Sequence, residues 1–155
     1  DDDFVFLDAG TTTYLMIDYL KGSKATFVTN GISHCKKLAQ VGCKAFIVGG
    51  EVKATTDAII GLAAAKNLQK YNFSKAFIGT NGVSEKQGCT TPDTDEAMLK
   101  AVSVEKSFVT YVLADSSKFG KVSAVTFVPI DAVCIVCDKC EDEAIKERTV
   151  IKEVV

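Results

Sequence analysis

The chain opens with three repeats of one local order: a short apolar run, a turn of small polar residues, and a stretch with helical spacing. The apolar runs are Phe4–Leu7 and residues 25–28 and 45–48. Strands that alternate with helices in this way predict a parallel sheet with helices on its faces. Right-handed crossovers place the carboxyl ends of such strands at one edge, where open α/β sheets bind ligands. The turns after these runs should therefore meet at that edge, bringing together Asp8, Gly10, Thr11, Thr12, Thr13, Thr29, Asn30, Gly49 and Gly50.

The rest of the chain continues the alternation less regularly. Residues 51–53 fit either a short strand or one arm of a hairpin, and residues 58–71 carry an imperfect apolar stripe that predicts a helix. A strand over residues 75–78 ends in small polar residues, so Asn81 and Gly82 join the expected site. Residues 83–91 are rich in turn formers and predict an irregular loop, a candidate lid. Further helices are predicted over residues 14–20, 32–39, 94–106 and 141–146, and further strands over residues 108–114, 124–127, 132–136 and 150–151.

The turn from Asp8 to Thr13 is open to two interpretations. Gly10 lets the backbone approach a ligand closely, while three hydroxyl groups and a helix N-terminus offer donors to a phosphate. The simpler alternative is that Thr11 or Thr12 caps the helix and that the turn only connects two elements. A second polar turn favours the phosphate interpretation, because it follows the strand over residues 108–114 and supplies Lys118.

The size and charge of the chain narrow the possible classes of protein. Its 155 residues fit one domain over residues 1–155, and a net charge of −2 argues against a surface for the nucleic-acid backbone. No apolar run approaches the roughly 20 residues of a membrane span. Because no secretory signal is recognisable, we expect a cytoplasmic protein with no membrane partner. The start at Asp1, without Met and just before a core strand, leads us to expect that a preceding domain is missing.

The six cysteines raise the question of disulfides or a metal. An apolar core together with the lack of a secretory signal favours reduced thiols. Cys134, Cys137 and Cys140 repeat every third residue, but Cys134 and Cys137 fall in a predicted strand, where residues three apart point to opposite faces. Zinc also needs four ligands, and the one histidine, His34, is distant in the sequence. We therefore expect no metal and no cofactor.

Five stretches, taken in order, resemble the C-terminal effector domain of DeoR-type bacterial transcription repressors. They are Leu7-Asp8-Ala9-Gly10-Thr11-Thr12-Thr13, Val28-Thr29-Asn30, Val48-Gly49-Gly50, Ala76-Phe77-Ile78-Gly79-Thr80-Asn81-Gly82 and Leu113-Ala114-Asp115-Ser116-Ser117-Lys118-Phe119-Gly120. The resemblance implies a three-layer α/β/α fold on a mostly parallel sheet, related to ribose-5-phosphate isomerase. It also implies that the domain senses a phosphorylated sugar and that DNA is bound only through a preceding winged helix-turn-helix. One departure is Cys137-Asp138, where the family usually has Thr-Asp after the last core strand.

The resemblance also implies ligand-binding roles for individual polar residues. In the related isomerases, a lysine in a Ser-Lys turn similar to that of Lys118 contacts the phosphate. Asp8 is expected near the hydroxyl groups of the ligand, with the alternative that it bonds turn amides. Asn81 and Glu96 are expected near the same hydroxyl groups, although Asn81 also suits a turn and Glu96 a helix start. Asp115 belongs to the expected site, with the alternative that it caps its turn or orients Lys118.

Two further side chains receive structural interpretations. Lys100 lies one helical turn beyond Glu96, so the spacing predicts an exposed i,i+4 ion pair. His34 lies on a short amphipathic helix beside Lys36 and Lys37, which predicts an exposed imidazole.

Two functions remain at this point. The first is a sensing module of a repressor, in which a bound sugar phosphate alters DNA binding by the longer protein. The second is a sugar-phosphate isomerase, which needs a base and a stabiliser for the enediolate. Where the related isomerases carry Gly-Ala-Asp-Glu, this chain has Gly82-Val83-Ser84-Glu85, and it lacks their later lysine near Cys89. These losses favour the sensor. A homo-oligomer is expected because repressors read paired half-sites, with residues 122–136 as the candidate interface.

Overall fold

A computed structural model describes residues 3–154 of the chain. Its centre is a sheet of seven parallel strands, in the spatial order β12-β11-β9-β6-β1-β2-β3. These strands are β1 (Phe4–Leu7), β2 (Thr26–Thr29), β3 (Lys44–Ile47), β6 (Phe73–Gly79), β9 (Ser107–Leu113), β11 (Cys134–Cys137) and β12 (Val150–Glu153). The predicted α/β class with a mostly parallel sheet is confirmed.

Five short strands and five helices complete the fold. The antiparallel hairpin β4–β5 and the three-stranded sheet β10-β8-β7 stand beside the main sheet. Their bounds are β4 (Glu51–Lys53), β5 (Ala58–Ile60), β7 (Gly82–Ser84), β8 (Gly88–Thr91) and β10 (Val125–Val128). The helices are α1 (Thr11–Met16), α2 (Ile32–Gln40), α3 (Leu62–Leu68), α4 (Thr94–Glu105) and α5 (Glu143–Arg148). Helix α1 continues as a 3₁₀ turn over Ile17–Tyr19.

The core lies on both faces of the sheet. On one face, α3, α4 and α5 pack over fully buried strand residues such as Phe6, Ile78 and Ile135. On the other, α1 and α2 cover a smaller cluster that includes Leu7, Phe27 and Leu38. Strands β1 and β2 are buried on both faces because helices cover both, which explains why their short apolar runs predicted them well.

The predicted helix over residues 58–71 is wrong at its start. Residues 58–60 pair with β4, which makes residues 51–53 the hairpin arm that the sequence allowed. Gly61 has φ 96, a left-handed conformation that favours glycine and separates the strand from α3. The side chains of Ala58, Ile59 and Ile60 are all buried, so tertiary packing prevails over the helical spacing of this short apolar run.

The predicted loop and candidate lid over residues 83–91 is also wrong. Strands β7 and β8 form a hairpin there, and Val83, Cys89, Thr90 and Thr91 are buried within it. Their packing against the helical face of the core fixes this segment in place. The buried hydroxyl groups of this segment are satisfied from outside the hairpin, because Thr91 donates to the Asn81 side chain and Thr90 accepts from the Ser123 N–H.

Four apolar residues of the stretch over residues 122–136 are unavailable to an interface, whereas Val122 is 55% exposed. Val128, Ile130, Val133 and Ile135 are at most 5% exposed, because they pack into the core of their own chain. Cys134 is half-buried and Cys137 is buried, as expected for opposite faces of β11. None of the helices in residues 3–154 combines the length and apolar character that a membrane crossing requires.

Candidate functional site

A cleft of about 840 Å³ opens at the carboxyl ends of β1, β6 and β9. The turn after β1 forms one wall, the tip of hairpin β4–β5 a second, and α4 and the turn after β9 the others. Ten of the fourteen residues expected at the site line this cleft. They are Asp8, Gly10, Thr11, Thr12, Thr13, Asn30, Asn81, Glu96, Asp115 and Lys118.

The floor of the cleft contains an ion pair that the sequence interpretation missed. The ammonium group of Lys100 donates to the Asp8 carboxylate and, at 3.0 Å, to the Gly79 carbonyl. The backbone N–H of Gly79 donates to the same carboxylate oxygen at 3.1 Å. The Lys100 and Asp8 side chains are only 10% and 5% exposed, respectively. Asp8 therefore bonds a backbone amide, as the alternative interpretation had it, but at the end of the neighbouring strand β6 and not in a turn, and it also bonds a buried lysine.

The predicted pair between Lys100 and Glu96 is wrong, because Lys100 points into the cleft floor. Its ammonium lies 5.6 Å from the centre of the Phe127 ring, and Glu96 instead lies 3.8 Å from Lys53. The sequence did contain one signal: Lys100 is the only charged residue between Ala97 and Val104 on an otherwise apolar stretch of α4. A lysine in such a position needs a buried partner.

His34 is buried and belongs to the same floor, so its predicted exposure is wrong. Its Nε2 lies 2.7 Å from the Gly10 carbonyl oxygen, an acceptor, so we assign the ring proton to Nε2. Nδ1 then carries a lone pair with no hydrogen-bond partner in residues 3–154. Burial lowers the pKa of His34 below its ordinary value, which favours this neutral form. Gly31 makes room for the ring, because a Cβ there would lie 2.4 Å from Nδ1.

Thr13 shares this buried arrangement. Its hydroxyl donates to the Asp8 carbonyl at 2.6 Å, accepts from the Gly10 N–H at 3.2 Å and lies 3.1 Å from His34 Nε2. Asn30 is used in a similar way: its carbonyl oxygen accepts from the Ala9 N–H, and its amide donates to the Ile59 carbonyl. These groups hold the turn after β1 and the β4–β5 hairpin together.

The rim of the cleft contrasts with this floor. Within residues 3–154, the side chains of Thr11, Thr12 and Lys118 make no hydrogen bond or ion pair, and they line the cleft. Asn81 uses its carbonyl oxygen to accept from Thr91, which leaves its amide group available. These are the groups of the expected site that remain open to a ligand.

Asp115 has a structural role, as its alternative interpretation proposed. Its carboxylate accepts from the Ser117 hydroxyl and from the Ser117 N–H at 2.8 Å, and the hydroxyl contact in particular lowers the pKa of Asp115. Asp138 accepts from the Ser116 N–H at 2.7 Å. The aspartate of Cys137-Asp138 thus fastens the turn that carries Lys118.

The tip of hairpin β4–β5 closes one side of the cleft through two polar contacts. Lys53 pairs with Asp93 at 2.5 Å, and this contact lowers the pKa of Asp93 and raises that of Lys53. Asp57 accepts from the Ser33 N–H at 2.9 Å, at the start of α2, and its contacts with Ser33 lower the pKa of Asp57. Residues 55–58 of this hairpin line the cleft, although no sequence pattern had placed them there.

Four expected residues do not line the cleft. Thr29 is fully buried, and its hydroxyl accepts from the Gly31 N–H. Gly49 and Gly50 lie in the connection before β4, and a Cβ on Gly50 would lie 2.9 Å from Ala64 and Ile59. Gly82 packs against the Lys121 carbonyl oxygen, where a Cβ would lie at 2.3 Å. The small size of Gly50 and Gly82 serves close packing, whereas a Cβ on Gly49 would meet no atom within 4 Å.

The family model described as the DeoR C terminal sensor domain matches residues 1–139. The chain belongs to this family. The DeoR sensor domain is 42% identical over 158 residues to the HTH-type transcriptional regulator FruR of Bacillus subtilis, covering 99% of this chain and 63% of that regulator. It is 30% identical over 146 residues to the lactose phosphotransferase system repressor of Staphylococcus aureus, covering 92% of this chain and 58% of that repressor. The chain thus spans less than two thirds of the length of these relatives.

Solved structures support the fold of this DeoR sensor domain. Ribose 5-phosphate isomerase A from Neisseria gonorrhoeae superimposes with a TM-score of 0.54 at 14% identity, over 81% of this chain and 48% of that one. The delta subunit of eIF2B from Chaetomium thermophilum gives a TM-score of 0.53 at 13% identity, over 77% and 43% of the two chains. At these identities the likeness concerns the fold alone, and it confirms the predicted ribose-5-phosphate-isomerase-like fold.

Proposed function

We propose that this DeoR sensor domain binds a phosphorylated sugar in the cleft and that binding alters how the longer regulator holds DNA. One observation carries the proposal: Lys118, Thr11 and Thr12 line the same cleft. Within residues 3–154, none of these three side chains makes a hydrogen bond or ion pair, so all are available to a ligand. A phosphate dianion is matched by a point charge and several hydroxyl donors, whereas a neutral sugar needs no such charge.

The remaining polar groups suit the sugar part of the ligand. The second carboxylate oxygen of Asp8 has no partner within residues 3–154, and Asp8 lines the cleft beside Asn81 and Glu96. Carboxylate oxygens accept from sugar hydroxyl groups, and the Asn81 amide donates to them. Gly10 and Asn30 shape the wall of this site, and Asp115 orients the turn of Lys118.

The regulatory part of the proposal rests on the relatives, which are named as transcriptional regulators and a repressor. A ligand shifts a regulator only if it binds two arrangements of the protein with different affinity. We propose that the cleft is complete in one arrangement and that the longer protein, a cytoplasmic regulator, contacts DNA through a segment outside this chain.

An isomerase function has less support. Ser84, which stands where the related isomerases have an aspartate, donates to Gln87 in the exposed β7–β8 turn and is absent from the cleft lining. The Asp8 carboxylate is already engaged by Lys100. The cleft therefore has binding groups but lacks the catalytic constellation of those enzymes, and we propose that the domain is not an enzyme.

Calorimetric titration tests the proposal directly. A panel of aldoses and ketoses, each with and without its phosphate and including ribose 5-phosphate, is titrated into the chain, with inorganic phosphate as a separate ligand. We expect the phosphorylated forms to bind more tightly. Lys118→Ala should remove about 1.5–3 kcal/mol of that preference, or roughly 10- to 150-fold in affinity.

A matched control is Lys121→Ala, which removes an exposed lysine three residues away that does not line the cleft. It should leave the preference unchanged. Equal binding of parent sugars and phosphates, or an equal effect of the two lysine variants, would show that the proposed phosphate site is wrong. Conversion of an aldose phosphate to a ketose phosphate in the same samples would instead favour the isomerase.

A further inference from the structure

Among residues 3–154, His34 is the only residue with a fully buried side-chain nitrogen or oxygen that has no hydrogen-bond partner. The imidazole is 7% exposed, and the atom without a partner is Nδ1. A buried acceptor of this kind costs free energy, and an apolar side chain of similar size would avoid that cost. Packing alone therefore gives no reason for an imidazole at this position, and the reason must lie in what Nε2 contacts.

The Nε2–H group of His34 holds the turn after β1 from outside that turn. It donates to the Gly10 carbonyl oxygen at 2.7 Å. The other groups near this oxygen are the Tyr14 N–H and the Thr13 hydroxyl, each at 3.0 Å, and both belong to α1. The single Thr13 hydroxyl proton is directed to the Asp8 carbonyl, at 2.6 Å. His34, on α2, is therefore the side chain that fixes the Gly10 carbonyl relative to a neighbouring helix.

The Gly10 carbonyl needs such a contact because the backbone is sterically free to turn at this point. A Cβ on Gly10 would meet only the Thr13 hydroxyl oxygen, at 3.6 Å, and glycine has none. The peptide between Gly10 and Thr11 is trans, so its carbonyl and its N–H point in opposite directions. If this peptide flipped, the carbonyl oxygen would leave the floor and present its partial negative charge to a phosphate beside Thr11 and Thr12.

Neighbouring residues in turn hold the His34 ring. The Tyr14 ring packs edge-on against it, with ring centroids 5.2 Å apart. The Lys37 ammonium lies 4.1 Å from the centre of the Tyr14 ring and donates to the Tyr14 carbonyl at 3.1 Å. Gly31, just before the same helix, leaves the space that the imidazole fills. Residues of α1 and α2 thus enclose the ring, which gives its Nε2 a fixed direction.

We propose that His34 is a positioning residue of the phosphate site. Its Nε2–H keeps the Gly10 carbonyl on the floor, and the side chains of Thr11 and Thr12 then line the cleft with their hydroxyl groups unengaged. His34 acts on the ligand through Gly10 and does not contact it. This inference rests on the proposed binding of a phosphorylated sugar, and it adds the residue that arranges the phosphate side of the cleft.

Nitrogen-15 NMR of the unmodified chain tests the contact on which this inference depends. His34 is the only histidine, so its ring signals are identified without further assignment. At about pH 7.5 the ring is neutral, because burial lowers the pKa of His34. Long-range proton–nitrogen correlations then show which ring nitrogen carries the proton, and we expect Nε2. A proton on Nδ1 would overturn the proposal, because Nε2 could not donate to the Gly10 carbonyl.

Two substitutions at His34 separate positioning from packing. His34→Leu removes the donor, whereas His34→Gln keeps an N–H donor at a similar distance from the backbone. Inorganic phosphate, ribose 5-phosphate and ribose are titrated into each 155-residue variant at about pH 7.5. His34→Leu should weaken the binding of both phosphate compounds roughly 2- to 12-fold, the range for one neutral hydrogen bond, and should change the affinity for ribose less. His34→Gln should recover most of this loss.

Leu38→Val is the matched control. It removes one methylene from the buried cluster under the same helix, one turn beyond His34, and it removes no hydrogen bond. It should lower the melting temperature but leave the affinity for phosphate unchanged. An equal loss of phosphate affinity in the His34→Leu and His34→Gln variants, or in the His34→Leu and Leu38→Val variants, would assign His34 to packing and overturn the proposal.

Lys118→Ala distinguishes a failure of this inference from a failure of the proposed function. If Lys118→Ala weakens phosphate binding and His34→Leu does not, the phosphate site stands and His34 does not position it. If neither variant weakens it, the proposed phosphate site is wrong, and the role of His34 is wrong with it. His34→Met replaces His34→Leu if circular dichroism shows that the latter does not fold, and the NMR measurement depends on neither variant.

Discussion

The floor and the rim of the cleft are built from the same kinds of residue but use them differently. On the floor, Asp8, Thr13, His34 and Lys100 are buried and bonded to one another or to the backbone. On the rim, Thr11, Thr12 and Lys118 make no polar side-chain contact within the described residues 3–154. Thr12 and Thr13 are adjacent in sequence, yet one faces the open cleft and the other closes the turn beneath it.

Because of this difference, the floor residues should chiefly determine the stability of the fold and the rim residues the affinity for a ligand. A buried charge or hydroxyl group that loses its partner costs free energy in the folded state, whereas an unpaired group at an open rim remains solvated until a ligand arrives. We therefore expect floor substitutions to act mainly on unfolding and rim substitutions mainly on binding. The proposed ligand contacts of the rim can be tested separately for this reason.

The largest effect is expected for Lys100→Met. It leaves the Asp8 carboxylate buried without its cation, and breaking a buried pair in this way costs about 3–5 kcal/mol. Urea unfolding measures the loss. The control is Lys118→Met, the same change at the rim, which should alter the free energy of unfolding by no more than about 0.5 kcal/mol.

A double variant, Asp8→Asn with Lys100→Met, sharpens this prediction. Because it removes both charges, it should recover much of the stability that Lys100→Met loses. Similar free energies of unfolding for the Lys100→Met and Lys118→Met variants would contradict the assignment of Lys100 to the floor.

An intermediate effect is expected from protonation of His34. Because burial lowers the pKa of His34 in the folded chain, the unfolded chain binds more protons between that lowered pKa and the ordinary value. Stability should be complete above about pH 6.5 and fall below it, by at most about 1.4 kcal/mol per pH unit for one proton. Unfolding at about pH 7.5 and about pH 5.5 gives the measurement.

His34→Gln is the control for this pH dependence. His34 is the only histidine in the chain, so the variant should lose the fall in stability across that interval. Aspartates with lowered pKa, such as Asp57 and Asp93, contribute only at more acidic pH. An identical pH dependence in the two proteins would mean that His34 does not titrate as its burial indicates.

The smallest effect is expected for Asn81→Ala on the rim. Loss of a neutral hydrogen bond to a sugar hydroxyl should weaken binding by about 0.5–1.5 kcal/mol, or roughly 2- to 12-fold. The loss should be the same for a sugar and its phosphate, unlike that of Lys118→Ala. The calorimetric panel gives the change in affinity for each sugar and for its phosphate. A loss confined to the phosphorylated form would indicate that the phosphate lies near Asn81.

Local sequence determined the frame of this domain. The apolar runs over residues 4–7, 25–28 and 108–114 needed no tertiary information to be recognised as the strands β1, β2 and β9, because side-chain chemistry and strand length agree over a few residues. The same runs, with their polar turns, located the edge of the sheet at which the cleft opens, and they carried the resemblance to the DeoR family. Lys118 was also recognisable, because it belongs to a turn that directly follows a strand.

Only the tertiary structure decided which distant residues contact one another in the floor and walls of the cleft. Lys100 and Asp8 are 92 residues apart, His34 and Gly10 are 24 apart, and the β4–β5 wall is held by Lys53 and an aspartate 40 residues later. A periodic pattern reports which face of an element is apolar, but it cannot report which buried charge meets which partner. Those contacts form only after the sheet has brought distant turns to one edge, because burial then favours a partner for each charged group on the floor. Nδ1 of His34 is the buried floor atom that has none within residues 3–154.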